Sequence, residues 1–377
     1  MLRNALMVTF KLSIIGSILG LTATLPASQP PALQNRPPIP APAWNNKAAA
    51  DYLDKRNAWW QHNMGAIDHG TACIACHTAF PYALARPTLR RILKETKPGD
   101  TETQVQQSIF TRVRQCEVMQ PFLNAPAQSR GAESVMNALV LARAQDRTVA
   151  LTADTAKAMQ TMWDRQIQSG AAAGAWPWFG DGGGGEEPWE AYDSQYWGAA
   201  IAALAVGTLT PNYQYSAAIR PNLAALKKYL LAGEPQQSLH NRLTLLWAST
   251  KLPGFLDGSR QTAIVQDIVG RRKPDGGWRV EDLVSPTWKR FDGSDYDTGS
   301  DGYATAYAAF ILKQVRDPAA QDAARSGREW LERHQDRATG AWAAASWNKK
   351  RDPASDVGKF MSDAATAYAV LALTGAE

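Results

Sequence analysis

Two hydrophobic patterns alternate along most of the chain. Four segments are almost continuously apolar and rich in alanine: ESVMNALVLARAQ (133–145), DSQYWGAAIAALAVG (193–207), DGYATAYAAFILKQV (301–315) and DAATAYAVLALTG (363–375). Each opens with a small or acidic residue. A fifth, SLHNRLTLLWAST (238–250), fits the alternation. Between them run more polar segments such as QDAARSGREWLERHQ (321–335), with apolar residues on one helical face. A helix with one apolar face covers a single neighbour, whereas one apolar all round must be enclosed on both sides. The alternation predicts two layers of helices, Ala-rich inside and amphipathic outside. The fold class it implies is all-α, an α/α toroid over residues 130–377.

Glycine–tryptophan turns, AGAWPW, DGGW and TGAW, precede three of the apolar segments and place Trp176, Trp278 and Trp342. Ahead of the repeats, KAAADYLDKRNAWWQHNMG (47–65) has helical periodicity, and further helices are expected around 89–95 and 102–116. Residues 47–129 therefore read as a small helical segment that precedes the toroid and surrounds a cysteine-containing loop. Residues 29–46 are too proline-rich for helix or sheet and read as an extended linker. The first 28 residues have a short basic start, an apolar run too short for a comfortable membrane span, and small residues at Ala23, Ala27 and Ser28. That is the pattern of an export signal. The expectation is a periplasmic or otherwise exported protein with no stable membrane span after cleavage. Covalent haem attachment in bacteria takes place in that compartment, and disulfides persist there.

Charge changes the picture little. The net charge of +5 over 377 residues includes Arg3 and Lys11 of the signal. No run of Lys or Arg resembles a nucleic-acid footprint, and RPTLRRILKETK reads as a solvated helix face.

SGREWLERHQDRATGAW resembles the glutamine–tryptophan repeat of the squalene–hopene cyclase family, through Trp330–Leu331, Gln335, Gly340 and Trp342, with one extra residue between Gln335 and Gly340. GRRKPDGGW matches the Gly-x-Trp end, and RQIQSGAAAGAW matches it at longer spacing. The resemblance implies a Gln amide and a Trp ring that tie neighbouring outer helices together. The whole chain is also similar to secreted bacterial proteins that join a Cys-x-x-Cys-His segment to a cyclase-like toroid. The matching stretches are CIACHTAFPYALARPTLR, GAESVMNALVLA, EPWEAYDSQYWGAAIAALAVG, SDGYATAYA and SDAATAYAVLAL.

The chemistry of the cysteine loop, GTACIACHTAFPYALARPTLRR, is that of c-type haem attachment. Two thiols one helical turn apart, Cys73 and Cys76, would add to the haem vinyl groups, and His77 would give an imidazole nitrogen to the iron. One covalent haem c is expected. Met119, in RQCEVMQPF, is the candidate sixth ligand, with His62, Met64 and His69 nearby in sequence; an open iron site competes with all of them. Arg86 is a candidate partner for a haem propionate or for a surface carboxylate, and Cys116 reads as a small buried hydrophobe. Three readings compete with haem: a Cys73–Cys76 disulfide, a redox dithiol, which wants a βαβ context not apparent here, and zinc, which wants two further ligands.

The toroid lacks familiar catalytic motifs. DGSDYDTGSD offers Asp295, Asp297 and Asp301 as the nearest approach to the acid of a class II terpene cyclase, without its adjacent second Asp. Asp193, Asp301 and Asp363 stand before inner helices, where helix capping competes with a role at the cavity mouth. Asp181, Glu186, Glu187 and Glu190 add acids, and Trp178, Trp189, Tyr192, Tyr196, Trp197, Tyr303 and Tyr307 add aromatic rings. Such a cavity suits an isoprenoid, a sugar or another small molecule. The leading expectation is an exported haem protein, in electron transfer or haem-dependent oxidation, with a redox partner protein and a ligand in the cavity. The alternatives are a cyclase-like or carbohydrate-active enzyme using Asp295, Asp297 or Asp301, with Cys73–Cys76 as a disulfide, and a non-catalytic lipid- or partner-binding scaffold.

Overall fold

The computed structural model describes residues 44–119, 126–179 and 194–374. The signal segment, most of the linker, and Asp181, Glu186, Glu187, Trp189, Glu190, Tyr192 and Asp193 lie outside the described residues. Contacts divide the chain into Met1–Ile39 and Pro40–Glu377, and every described residue belongs to the second unit.

That unit is helical apart from one small ribbon. In order it contains α1 (Asn46–Gln61), β1 (Ile67–Asp68), β2 (Thr71–Ala72), α2 (Ala79–Ile92), α3 (Asp100–Arg114), α4 (Pro126–Ala144), α5 (Ala153–Asp164) and α6 (Ser194–Thr208). There follow α7 (Pro211–Gln214), α8 (Arg220–Gly233), α9 (Leu239–Lys251), α10 (Gly258–Gly270), α11 (Val280–Leu283), α12 (Gly302–Leu312), α13 (Pro318–His334) and α14 (Phe360–Leu373). β1 and β2 pair antiparallel, Ile67 opposite Ala72 and Asp68 opposite Thr71. His69 and Gly70 between them both have positive φ, 47° and 70°. This is the two-residue loop whose twist suits a hairpin.

The Ala-rich helices are enclosed, as the pattern predicts. All residues of α12 are buried, and nearly all of α6. α4 packs on α6, α6 on α9, α9 on α12 and α12 on α14. α14 packs in turn on α2, and α2 touches α4, so the order returns to its start. The amphipathic helices lie against these with one face: α1 on α2 and α14, α5 on α4, α8 on α6, α10 on α9, and α13 on α12 and α14. α2 begins ten residues earlier than periodicity suggests. Pro81 falls in its first turn, where a backbone N–H has no partner to lose, and Pro87 removes one internal rung.

Each Gly–Trp turn is built alike. Trp278 Nε1 donates to Ile268 O at 2.7 Å and Trp342 Nε1 to Leu331 O at 2.8 Å, tying each ring to the helix before it. The glycines preceding these rings take positive φ, 100° at Gly174, 99° at Gly276 and 84° at Gly340. Their bare Cα atoms lie against α8, α13 and α1, where a Cβ would collide with Ala225, Ser326 and Ala48. Gln335 Nε2 donates to Gly340 O and to Asn45 O, both at 3.0 Å, and Gln335 Oε1 accepts from Asn45 N. Gln166 does the same between Gly174 O, at 3.1 Å, and Asn222 O, at 3.0 Å. A glutamine amide thus stitches a turn to the start of the next outer helix in both places.

Candidate functional site

The Cys-x-x-Cys-His segment leaves β2 without regular structure over residues 73–75 and turns through residues 76–78 into α2. The expected helical turn between the thiols is absent, because the helix starts only when Phe80 N reaches Ala75 O, at 2.9 Å. Cys73 is fixed through its backbone: its N–H donates to Ala66 O at 2.9 Å, and its carbonyl accepts from Trp60 Nε1 at 2.8 Å. None of Cys73, Cys76 and Cys116 forms a disulfide. Cys73 and His77 are half-buried. Burial, reinforced by Glu133 and opposed by Arg112, pushes the Cys73 thiol up to about 12. This environment holds a neutral sulfur, the opposite of what a nucleophilic dithiol or a zinc thiolate needs. Among the described residues no three His, Cys, Asp or Glu side chains gather into a metal-holding group.

His77 is held from three sides. Its ring stacks on Phe360 of α14, centroids 3.7 Å apart at 19°, and meets the edge of Trp60 at 5.3 Å. Nδ1 lies 2.7 Å from Thr78 Oγ1, and that hydroxyl lies 2.9 Å from Asp363 Oδ2. Asp363 also accepts from Tyr52 OH at 2.9 Å and from Arg56 Nε at 2.8 and 3.1 Å. Burial, opposed chiefly by Arg56, raises the Asp363 carboxyl to about 6, so it is an anion at pH 7. An anion cannot donate, so the single proton of the Thr78 hydroxyl goes to Asp363. Thr78 must then accept from His77, and His77 carries its proton on Nδ1. The lone pair is left on Nε2, which has no hydrogen-bond partner among the described residues. Burial, with Arg56 second, pushes the imidazole down to about 3 and keeps it neutral. A neutral imidazole whose far nitrogen donates through a hydroxyl to a carboxylate is the arrangement that orients a metal-binding histidine.

The other candidates are dispersed. Met119 is buried, its sulfur 4.0 Å from Thr71 Oγ1. His62 and His69 engage Ala58 O and Asp68, and Met64 is 84% exposed. Arg86 is buried and committed to Asp54, at 2.9 Å, and Glu95, at 2.8 Å. Cys116 lines a crevice of about 20 Å³, room for roughly one water, with Arg112, Arg130, Glu133 and Asn137.

Asp295 and Asp297 are exposed in the loop before α12. Asp301 caps α12: Oδ1 accepts from Tyr303 N and Ala304 N at 2.8 and 3.0 Å, and Oδ2 from Ala345 N at 2.8 Å. Asp363 is no cap; it lies in the first turn of α14 with its carboxylate turned to α1 and Thr78. Sequence reasoning missed Thr78, Arg56 and Tyr52 altogether. The signal for Thr78 was its place directly after His77; Arg56 and Tyr52 carried none, since Asp363 is about three hundred residues away. Neither a protein-family model nor a curated protein matches this sequence.

Proposed function

We propose that the protein is an exported c-type haem protein whose haem is attached at Cys73 and Cys76 and ligated by His77 Nε2. The closed order of six enclosed helices supports reading the fold as an α/α toroid, with α2 as one member of its inner ring. The segment that carries the haem is then part of the toroid wall. The export signal at 1–28 supports placement outside the cytoplasmic membrane, and the likeness to secreted Cys-x-x-Cys-His toroid proteins points the same way.

One observation carries the reading: His77 presents a neutral Nε2 without a hydrogen-bond partner among the described residues, its tautomer fixed by Thr78 and Asp363, four residues from Cys73 and next to Cys76, neither of which is in a disulfide. The residues fit the group. A thioether is a neutral sulfur, which is what the surroundings of Cys73 favour, and Phe360 and Trp60 give the apolar flank that a porphyrin needs. When bound, haem supplies a one-electron couple and an iron able to hold a small ligand. Around it, Asp363 and Thr78 orient His77, Arg56 neutralises Asp363, and the aromatic rings exclude water. Met119 would be the candidate sixth ligand. The function follows as electron transfer to a redox partner protein, or oxidation of a small molecule held in the toroid.

The test is a pyridine haemochrome spectrum of protein produced with the c-type maturation machinery. Haem that resists denaturation, and is lost in the Cys73→Ala/Cys76→Ala double variant, is the expected result. A colourless protein two protons light in mass would refute it in favour of a disulfide.

A further inference from the structure

Away from the cysteine loop, one buried titratable cluster has no part in this reading. His240, in the first turn of α9, places Nδ1 3.3 Å from Asn241 Oδ1 and Nε2 2.9 Å from the Tyr303 hydroxyl. Asn241 donates its amide to Gln237 Oε1, so the atom it turns to the imidazole is its oxygen. His240 therefore carries its proton on Nδ1, and Nε2 accepts that of Tyr303. Burial, opposed by the Asn241 hydrogen bond, pushes the imidazole down to about 4, leaving a neutral base at pH 7. Tyr303 stacks along Tyr307, centroids 5.5 Å apart at 12°, and Tyr307 meets Tyr368 edge-on at 4.9 Å. Tyr368 lies within electrostatic range of the Cys76 sulfur. Three buried phenol rings on α12 and α14 thus run from Cys76 to His240.

Tyr303 and Tyr307 differ in what faces their hydroxyls. Tyr307 OH lies 2.7 Å from Thr244 Oγ1, a hydroxyl that already gives its own proton to His240 O at 2.9 Å. Thr244 can accept a hydrogen bond but is no base. Among the described residues, Tyr303 has a neutral base at its hydroxyl and Tyr307 has a threonine hydroxyl. A phenol gives up an electron far more readily when its proton can leave at the same time. An oxidising equivalent moving along these rings would come to rest at Tyr303.

We propose that Tyr368, Tyr307 and Tyr303 relay one oxidising equivalent from the Cys76 side of the toroid to Tyr303, with His240 as the proton acceptor. The proposal rests on the haem reading and names a peroxide as oxidant. Bound haem would supply the site of peroxide reduction: the two electrons that take hydrogen peroxide to two waters would come one from the iron and one from Tyr303, with two protons from solvent. At Tyr303 the O–H bond breaks, its electron passes through Tyr307 and Tyr368, and its proton forms a new N–H bond at His240 Nε2. The products are a neutral phenoxyl radical and an imidazolium held by Asn241. Trp347 touches both His240 and Tyr303, ring centroids 4.9 and 5.4 Å apart, and its buried indole N–H has no acceptor among the described residues. It marks where the oxygen of a phenol, or of a similar one-electron donor, would dock for oxidation without reaching the iron.

The experiment mixes the haem-loaded protein with hydrogen peroxide, freezes it within milliseconds and reads the tyrosyl radical by electron paramagnetic resonance. The wild type should give a tyrosyl signal that is lost in Tyr303→Phe, a variant that removes only a hydroxyl, with haem content unchanged by pyridine haemochrome. The same signal in both proteins, or none in the wild type, overturns the relay. If the haemochrome is negative, the haem reading has failed separately. Flash-generated tris(bipyridine)ruthenium(III) then serves as oxidant: a phenoxyl absorbance lost in Tyr303→Phe keeps the relay, and one unchanged by the substitution overturns it.

Discussion

Replacing Thr78 by Val tests whether the hydroxyl bridge sets the proton on His77. Thr78 is 1% exposed, so neither water nor another side chain can take over the hydroxyl's bonds, and Val fills the same volume. Two interactions are lost. One is a charge-assisted hydrogen bond to Asp363, in the range of about 1.5–3 kcal/mol. The other is the acceptor for His77 Nδ1–H, whose stranding costs about 1–3 kcal/mol. Asp363 keeps Tyr52 and Arg56, which favours the lower half of each range, so the expected destabilisation is about 3 kcal/mol. Urea unfolding of haem-free protein, followed by tryptophan fluorescence, measures it. Nitrogen-15 spectra of histidine-labelled protein, with five His to assign, should show the Nδ1–H tautomer of His77 in the wild type and its loss in Thr78→Val. Thr78→Ser, which keeps the hydroxyl, should retain it. A loss of under about 0.5 kcal/mol with an unchanged tautomer would show that the bridge does not hold the imidazole.

Other expectations follow from the same geometry. His240 has its folded pKa pushed below its unfolded value, so the unfolded chain binds more protons between about pH 4 and 6.5; wild type should gain stability over His240→Gln as pH rises through that window, by up to about 3 kcal/mol. The difference between the two proteins is the quantity to measure, because Asp301 and Asp363, raised to about 6, work in the opposite direction in both; a flat difference would contradict the burial argument. Gly340→Ala forces a Cβ at positive φ into the Ala48 backbone and should cost about 2–4 kcal/mol, while Gly270→Ala, with open space around it, should leave the calorimetric melting temperature nearly unchanged. Asp301→Ala strips three backbone N–H groups of their acceptor and should cost about 2 kcal/mol by urea unfolding, whereas exposed Asp297→Asn should stay within about 0.5 kcal/mol. Equal effects at the two positions would argue against a capping role for Asp301.

The sequence made the helical layers legible wherever composition alone sets burial. Ala199 to Val206 and Ala304 to Leu312 can be nothing but enclosed, and Trp278 and Trp342 announce their turns through a preceding glycine. α2 was harder to read, because Pro81, Tyr82, Arg86 and Pro87 break its apolar pattern while being tolerated by a first turn, a carboxylate partner at Asp54 and one lost rung. At the site, Cys73, Cys76 and His77 were legible as a local motif. The carboxylate behind His77 was not: Asp363 looked like a helix cap from its neighbours, and only the fold brings Tyr52, Arg56 and Thr78 to it across separations of 311, 307 and 285 residues.

The stitch between Gln335 and Asn45 gives the chain a schedule. Its two partners are 290 residues apart, and α14, the final helix, is the one that lies against α2. Until that helix has been made and delivered, α2 and α12 each keep an apolar flank without a cover. Contacts of such long range make for slow folding and prolonged exposure of apolar surface. The same helix brings Phe360 to His77 and Asp363 to Thr78, so the imidazole acquires its orientation only when α14 is in place. A chain cut after α13 would leave α2 and α12 uncovered and His77 unoriented. Docking of α14 and orientation of His77 are, in this fold, one event.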